Sequence, residues 1–588
     1  MTFLIEIDDY YCDETGLYQS LFDEKNNKYQ WYWISSPIYL SKVIRILESE
    51  EIIWEVSFLC NDGWFTDTIH RTKLTQNDFS ILQRKGADVA LWKHKVVIDY
   101  LVKSEKKVPV SYQYNYLGWG AYKQRLLFKH SSLSFGDRTN AEYKGMFNIQ
   151  PKGSLFIWEQ TVEKYIKGHI PLELALCLGF SATLVGYINQ FLDIHQDSLL
   201  FHLSGNSTTG KSTAAMVAVS GFGDPKEGPN SLIQSFDGTD NALVSLITKN
   251  YGVPIAFDET TMTTMKQEKL TSFLYKWAKN VEKARQNRNA ELREREAWGT
   301  TIITTGESSI IGQSNQNEGI RARVFEFEGI QWTKDKNQAT KLNHLLSANY
   351  GWGVKPFVDN FLKYSRAHFL AAWQNETEIM ERHLPNSKFE NRISKKFSLV
   401  IMTAMLLNET FDFDFDVEGI RQMLVQQEMV SLEERLIGPK ALELIREWVL
   451  KYQKHFYINS QGNPESQTIY GRIDIDKKAS TTTVFILASE FKQMLRLAGF
   501  SDVKVVLREL DKLSVLIKEK DTQQNKYHIR RVIKGQENTK NGVMTYGIKF
   551  DGLFIPTILT SPEIGKIPRK RNVIEHFTEV ETIDEVFE

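Results

Sequence analysis

The stretch FHLSGNSTTGKST, from Phe201, holds residue types that bind phosphate when spaced as they are here. Gly205, Gly210, Lys211 and Ser212 fit the pattern G-x-x-x-x-G-K-[ST]. In such a loop the backbone N–H groups of Asn206, Ser207, Thr208 and Thr209, and onward through Thr213, converge on an anion. The positive end of the following helix backs them. Lys211 is then expected on the β and γ phosphates and the Ser212 hydroxyl on Mg²⁺, making ATP and Mg²⁺ the expected cofactors.

A second piece is YGVPIAFDET, an apolar run ending in Asp258 and Glu259. Asp258 is placed to hold Mg²⁺, and Glu259 adds a carboxylate that can polarise an attacking water. A kinase needs no such water-directed base, so the pair favours an ATP hydrolase. The plain alternative is an acidic loop at a strand end.

Two further stretches could complete the chemistry. WGTTIITTGESS ends in hydroxyls where a group sensing the terminal phosphate would lie. Thr305 is the choice there, with Thr304 and Glu307 as rivals. EGIRARVFEFEG sets Arg321 and Arg323 before another strand. An arginine at that corner can neutralise charge on a neighbouring subunit's nucleotide, and Arg323 abuts the strand more closely. Between these stretches, Lys283, Arg285 and Arg288 cluster around Asn287 and Asn289. They read either as a basic loop gripping DNA phosphates or as a solvated charged helix.

These groups need a scaffold. Leu199 to Leu203 is apolar and of strand length, and small residues after Lys211 begin a helical pattern. Residues 166–330 alternate strands and helices, as an α/β nucleotide core should. Residues 1–165 read as a mostly-β domain, with one helical interruption, NDFSILQRKG, closed by Gly86. The aromatics of SYQYNYLGWG fit a β core better than a base-stacking surface. Residues 331–455 read as a helical lid, and INSQGNPESQ as a linker. Residues 456–555 carry two predicted helices, VFILASEFKQMLRLAGF and, after Ser501 as N-cap, DVKVVLRELDKL. The strands that follow complete a winged helix. Its second helix (Lys504, Arg508, Lys512) and wing (Lys526, Arg530, Arg531) could meet DNA, or the module could dock protein. Residues 556–588 turn from basic to acidic and read as a flexible tail.

The chain has 588 residues, 42% of them hydrophobic, which supports several real cores. Lys+Arg 72 against Asp+Glu 73 leaves a net charge of −1, so contact with nucleic acid must come from local patches. Cys12, Cys60 and Cys177 lie far apart with no C-x-x-C pair, which fits the cytoplasm and excludes common zinc signatures. No secretory signal is expected from MTFLIEIDDYYCDE. PLELALCLGFSATLVGYINQFL, from Pro171, is expected as a buried helix rather than a membrane span.

FHLSGNSTTGKST, FDGTDNAL, PIAFDET, EKARQNR, TTGES and RVFEF together resemble a P-loop family known only as a domain of unknown function. ISSPIYLSKVIRI, YLGWG, ENRISKKFSLVIMTA and YGRI extend the resemblance over most of the chain. Within that family the sequence is most similar to self-loading replicative helicases of staphylococcal mobile elements, AAA+ proteins with an MCM-like motor. The resemblance implies Asp258 and Glu259 as the Walker B pair, Arg323 as the trans finger and Arg392 as a second sensor from the lid. It places Lys283, Arg285 and Arg288 in a pre-sensor hairpin. Gly306 departs from it, standing where many AAA+ proteins carry a sensor asparagine. The function expected is an ATP-driven DNA helicase on single-stranded and forked or origin DNA, assembled as a homo-oligomeric, hexameric ring. The alternative is a nucleotide-dependent DNA-binding switch or defence ATPase that does not translocate.

Overall fold

The computed structural model describes residues 4–71, 80, 82–90, 92–131, 141–260, 265–281, 296–314, 318–435, 437–459, 466, 468–500, 503–518, 527–533 and 542–552. They divide into two compact units, residues 1–435 and 436–588.

The first unit opens with strands β1 (Leu4–Ile7), β2 (Tyr10–Asp13), β3 (Gly16–Asp23) and β4 (Lys28–Ser35), an antiparallel meander. β5 (Ile38–Ile46), β6 (Ile52–Cys60), β7 (Gly63–His70), β8 (Val110–Tyr114) and β11 (Ala141–Tyr143) form a second sheet in the order 11-8-5-6-7. Helix α1 (His94–Ser104) packs Val97, Tyr100 and Leu101 beneath these strands, and the sequence reading lacked it. Most of the expected helix NDFSILQRKG lies outside the described residues.

β9 (Gly118–Tyr122) and β10 (Arg125–Lys129) form a hairpin that belongs to the next layer. Trp119 Nε1 donates to the Thr183 carbonyl at 2.7 Å, inside α3. Tyr114 and Trp119 of SYQYNYLGWG are buried and fill core, whereas Tyr112 and Tyr116 are half-buried.

α2 (Leu155–Tyr165) and α3 (Ile170–Phe191) lead into a parallel five-stranded sheet. Its members are β12 (Leu199–Ser204), β13 (Ile233–Ser235), β14 (Ile255–Asp258), β15 (Thr301–Gly306) and β16 (Val324–Glu328), in the order 13-14-15-12-16. All-parallel strands need cover on both faces, which explains runs such as LLFHLS and TIITTG with every residue buried. The cover includes α3 and α4 (Lys211–Ser220) on one face. On the other lie α5 (Asp240–Ile247), α6 (Gln267–Ala278) and the short α7 (Glu318–Arg321). α3 is long and apolar enough to cross a membrane, yet Leu172 through Ile188 is buried within this core, as expected.

Helices α8 (Lys336–Ala348), α9 (Val354–Phe361), α10 (Arg366–His383), α11 (Glu390–Phe411) and α12 (Val417–Arg435) complete the unit. Asp335 and Ser365 cap α8 and α10, accepting from the N–H groups of Gln338 (2.7 Å) and His368 (3.2 Å).

The second unit begins with α13 (Ile437–Lys451). Its Ile437, Ala441, Ile445 and Val449 share a core with the C-terminal strands, so the helical region of the first unit ends at 435 and not at the expected 455. β17 (Phe456–Ile458), β18 (Gly471–Asp476) and β19 (Thr481–Leu487) precede α14 (Ala488–Leu497) and α15 (Val503–Lys512). β20 (Leu516–Ile517), β21 (Ile529–Arg531) and β22 (Val543–Asp551) follow. VFIL was expected to open a helix. It is strand instead, because β19 lies between β18 and β22 and pairs with both. A β-branched and aromatic run gains more from two ladders than from extending a helix. Ser501, the expected cap of α15, lies outside the described residues, as do 553–588 and most of the expected linker.

Candidate nucleotide site

β12 ends at Ser204, and the glycine loop carries the chain into α4. Gly210 has φ 87°, and a Cβ there would lie 2.5 Å from Thr333 Oγ1, so backbone and space both demand glycine. The loop is fixed from outside. Trp332 N–H donates to the Thr209 carbonyl at 2.8 Å, and Thr213 Oγ1 donates to Asn343 Oδ1 at 3.3 Å. Lys211 Nζ donates to the carbonyls of Gly205 (2.9 Å) and Asn206 (2.8 Å), which folds its ammonium over the loop.

β15 separates β12 from β14 in the sheet, yet their ends meet. Ser212 Oγ donates to the two Asp258 carboxylate oxygens at 3.3 and 3.2 Å. The Thr305 hydroxyl donates to Asp258 Oδ1 and accepts from Glu259 N–H at 3.3 Å. Thr305 therefore bonds the Asp258 carboxylate and the Glu259 backbone. Of its rivals, Thr304 points to the other side of β15, with its Oγ1 2.8 Å from His202 Nδ1. Glu307 accepts from Ser207 Oγ at 2.6 Å, against the loop itself. Glu259 sits at φ 61°, a left-handed turn that ends β14 sharply and sets its side chain at the sheet edge.

His202 escaped the sequence reading. It is fully buried, and burial lowers its pKa, so the imidazole is neutral and has one donor and one acceptor nitrogen. The Ser308 carbonyl, 3.0 Å from Nε2, can only accept. Nε2 thus carries the proton and Nδ1 accepts from Thr304. This ties the turn after β15, which holds Glu307, to the strand that ends in the loop. A Cβ on Gly306 would overlap Thr260 Oγ1 and press on the His202 ring, which accounts for glycine here. Gly306→Asn should therefore cost about 1–3 kcal/mol by overpacking, read as a lowered melting temperature. An unchanged melt would refute that close approach.

The arginines lie elsewhere. β12 and β16 run in register from Leu200↔Val324 to Ser204↔Glu328. Arg323 thus precedes β16 at the edge opposite the glycine loop, a strand length of roughly 16 Å away. Its Nη1 donates to the Gly319 carbonyl at 2.8 Å, and its guanidinium lies 5.2 Å from the Tyr275 ring centre. Asp197, just before β12, has Oδ2 at 3.7 Å from Arg323 Nε and 3.4 Å from Lys396 Nζ. Arg392 joins them in lining a cavity of about 570 Å³. Arg321, the alternative finger, is buried.

In the second unit, Lys504 and Arg508 are exposed one turn apart on α15, while Val506, Leu507 and Leu510 are buried. Lys512 pairs with Glu509 at 2.6 Å. Arg530 is exposed on β21, and the Arg531 guanidinium lies 4.7 Å from the Phe485 ring centre. Lys283, Arg285, Arg288 and Lys526 lie outside the described residues.

Residues 10–297 match a family described as a domain of unknown function, DUF927. Residues 437–552 match the Cch helix turn helix domain. A solved structure titled "SCCmec type IV Cch - active helicase" is similar at a TM-score of 0.74 and 25% identity. The likeness covers 94% of this chain and 99% of that one. These matches support a likeness to staphylococcal mobile-element helicases over nearly the whole chain. The family resemblance read from the sequence is thereby borne out. No curated protein matches significantly. The Cch helix turn helix match starts at Ile437, where α13 opens the second compact unit. Two independent observations thus place α13 with the helix turn helix domain and not with the helices of the first unit.

Proposed function

We propose that the chain is an ATP-driven DNA helicase of the AAA+ type, working as a ring with each nucleotide site shared between neighbouring copies. The observation that carries this reading is the division of catalytic groups between two edges of one sheet. The glycine loop, Asp258, Glu259 and Thr305 occupy one edge, and Arg323 with Arg392 the other. No chain can bring its own arginines to its own loop, whereas copies arranged head to tail bring each cationic edge to the next loop.

The residues fit ATP and Mg²⁺. The Ser212 hydroxyl and Asp258 carboxylate form an oxygen donor pair suited to a small hard cation, next to a loop that presents N–H groups. When bound, Mg²⁺ would neutralise charge on the phosphates. Lys211 would hold the β and γ phosphates. Glu259 would orient a water and take its proton, with Thr305 keeping both acids in place. Arg323 and Arg392 would act on the neighbour's nucleotide. The helix turn helix module, through Lys504, Arg508 and Arg530, would meet DNA phosphates. Lys283, Arg285 and Arg288 would grip the strand being moved.

The test is ATP-dependent strand displacement on a forked duplex. The wild-type chain should separate the strands, and Lys211→Ala should separate none. Brisk ATP hydrolysis without displacement on any forked or bubble substrate would overturn the helicase reading in favour of a non-translocating switch.

A further inference from the structure

The cationic edge holds more positive charge than a lone finger requires. The cavity there is lined by Lys279, Arg323, Arg392, Lys395 and Lys396, with Asp197 as the lining carboxylate. Lys396 is 1% exposed, and among the described residues its Nζ has no well-directed hydrogen bond: Asp197 Oδ2 lies at 3.4 Å and the Phe325 ring centre at 5.5 Å. Arg323 Nε is likewise buried without a hydrogen bond, 3.7 Å from the same oxygen. One carboxylate oxygen thus stands between two buried cations and satisfies neither. Burial pushes the Lys396 ammonium down to about 8. A buried cation lacking full compensation favours any anion that can enter.

We infer that this cavity is an anion socket built for the terminal phosphate of a neighbouring copy's nucleoside triphosphate. Lys396 is its third cation beside Arg323 and Arg392, and Asp197 is a resident place-holder that the phosphate displaces. The inference rests on the shared-site reading proposed above. It adds that Lys396, in the second turn of α11, binds the phosphate directly, and that Asp197 competes with it. Asp197 precedes the strand that ends in the glycine loop, so displacing it would act on the strand that carries the chain's own nucleotide site.

The socket can be probed without its partner site. In full-length Lys211→Ala protein, whose glycine loop is disabled, inorganic tripolyphosphate should raise the melting temperature through the socket. Adding Asp197→Asn should enlarge that rise, although the starting stability falls. Adding Lys396→Met should abolish it. Equal shifts in all three proteins would overturn the inference.

Subunit mixing separates this failure from failure of the shared site. Lys396→Met alone should lose turnover, about tenfold or more. Mixing it with Lys211→Ala protein should recover part of the activity, because a Lys396→Met loop that faces a Lys211→Ala neighbour meets an intact socket. Recovery would also show that Lys396→Met folds. If Arg323→Ala complements in this way but Lys396→Met turns over like wild type, the shared site stands and the role of Lys396 falls. If neither complements, the shared site itself is wrong.

Discussion

Glu259→Gln should lower the rate of phosphate release by about 10²–10⁴-fold while leaving nucleotide affinity nearly unchanged. The substitution keeps size and shape, and the Glu259 N–H that donates to Thr305 is untouched. The groups expected to hold nucleotide and cation (Lys211, Ser212 and Asp258) also keep their contacts. What is lost is the carboxylate proposed to accept a proton from water. Lys211→Ala should do the reverse, weakening binding itself. Equilibrium binding of a labelled nucleotide beside single-turnover hydrolysis distinguishes the two. Turnover above a tenth of wild type in Glu259→Gln would transfer the base role to another group.

Much of this site was legible in the sequence because it rests on short fixed spacings. Gly205, Gly210, Lys211 and Ser212 are set by loop geometry, and Asp258-Glu259 by the end of one apolar strand. Thr305 was separable from Thr304 only by a rule of alternation plus knowledge of which face of β15 meets Asp258. His202, Asp197 and Lys396 were not legible. Their partners lie about a hundred residues or more away in sequence, at Thr304, Arg323 and across the Asp197–Lys396 pair, and strand register brings them together.

The elements show the same division. LLFHLS and IAF read correctly as buried strand, since a parallel sheet leaves them nowhere polar to face. VFIL failed because its neighbours ASEFKQMLRL are strongly helical, and only pairing with β18 and β22 marks the boundary. The N-terminal aromatics divide between core and surface. Tyr114 and Trp119 are interior, whereas Tyr29, Trp31 and Trp33 alternate on β4 and remain exposed. Residue type alone could not tell these groups apart.

Arg323→Ala should cost about 10³–10⁵-fold in turnover, with nucleotide binding by the single chain preserved. The geometry makes this a sharp test. Arg323 sits a strand length from its own glycine loop, so any direct effect on catalysis must pass through another copy. Some of the loss could instead be structural, because Arg323 also holds the Gly319 carbonyl and packs on Tyr275. Those contacts are worth about 1–2 kcal/mol together, enough to lower a melting temperature but not to remove turnover from protein that is still folded. Two measurements therefore decide the matter. The first is the melting temperature of Arg323→Ala, which should fall by only a few degrees. The second is activity against protein concentration. Wild-type turnover per chain should rise as copies associate, whereas Arg323→Ala turnover should stay flat at its low value however far association proceeds. If the variant instead approaches wild-type turnover at high concentration, Arg323 merely strengthens association, and the charge that completes the neighbour's site must come from Arg392 or Lys396.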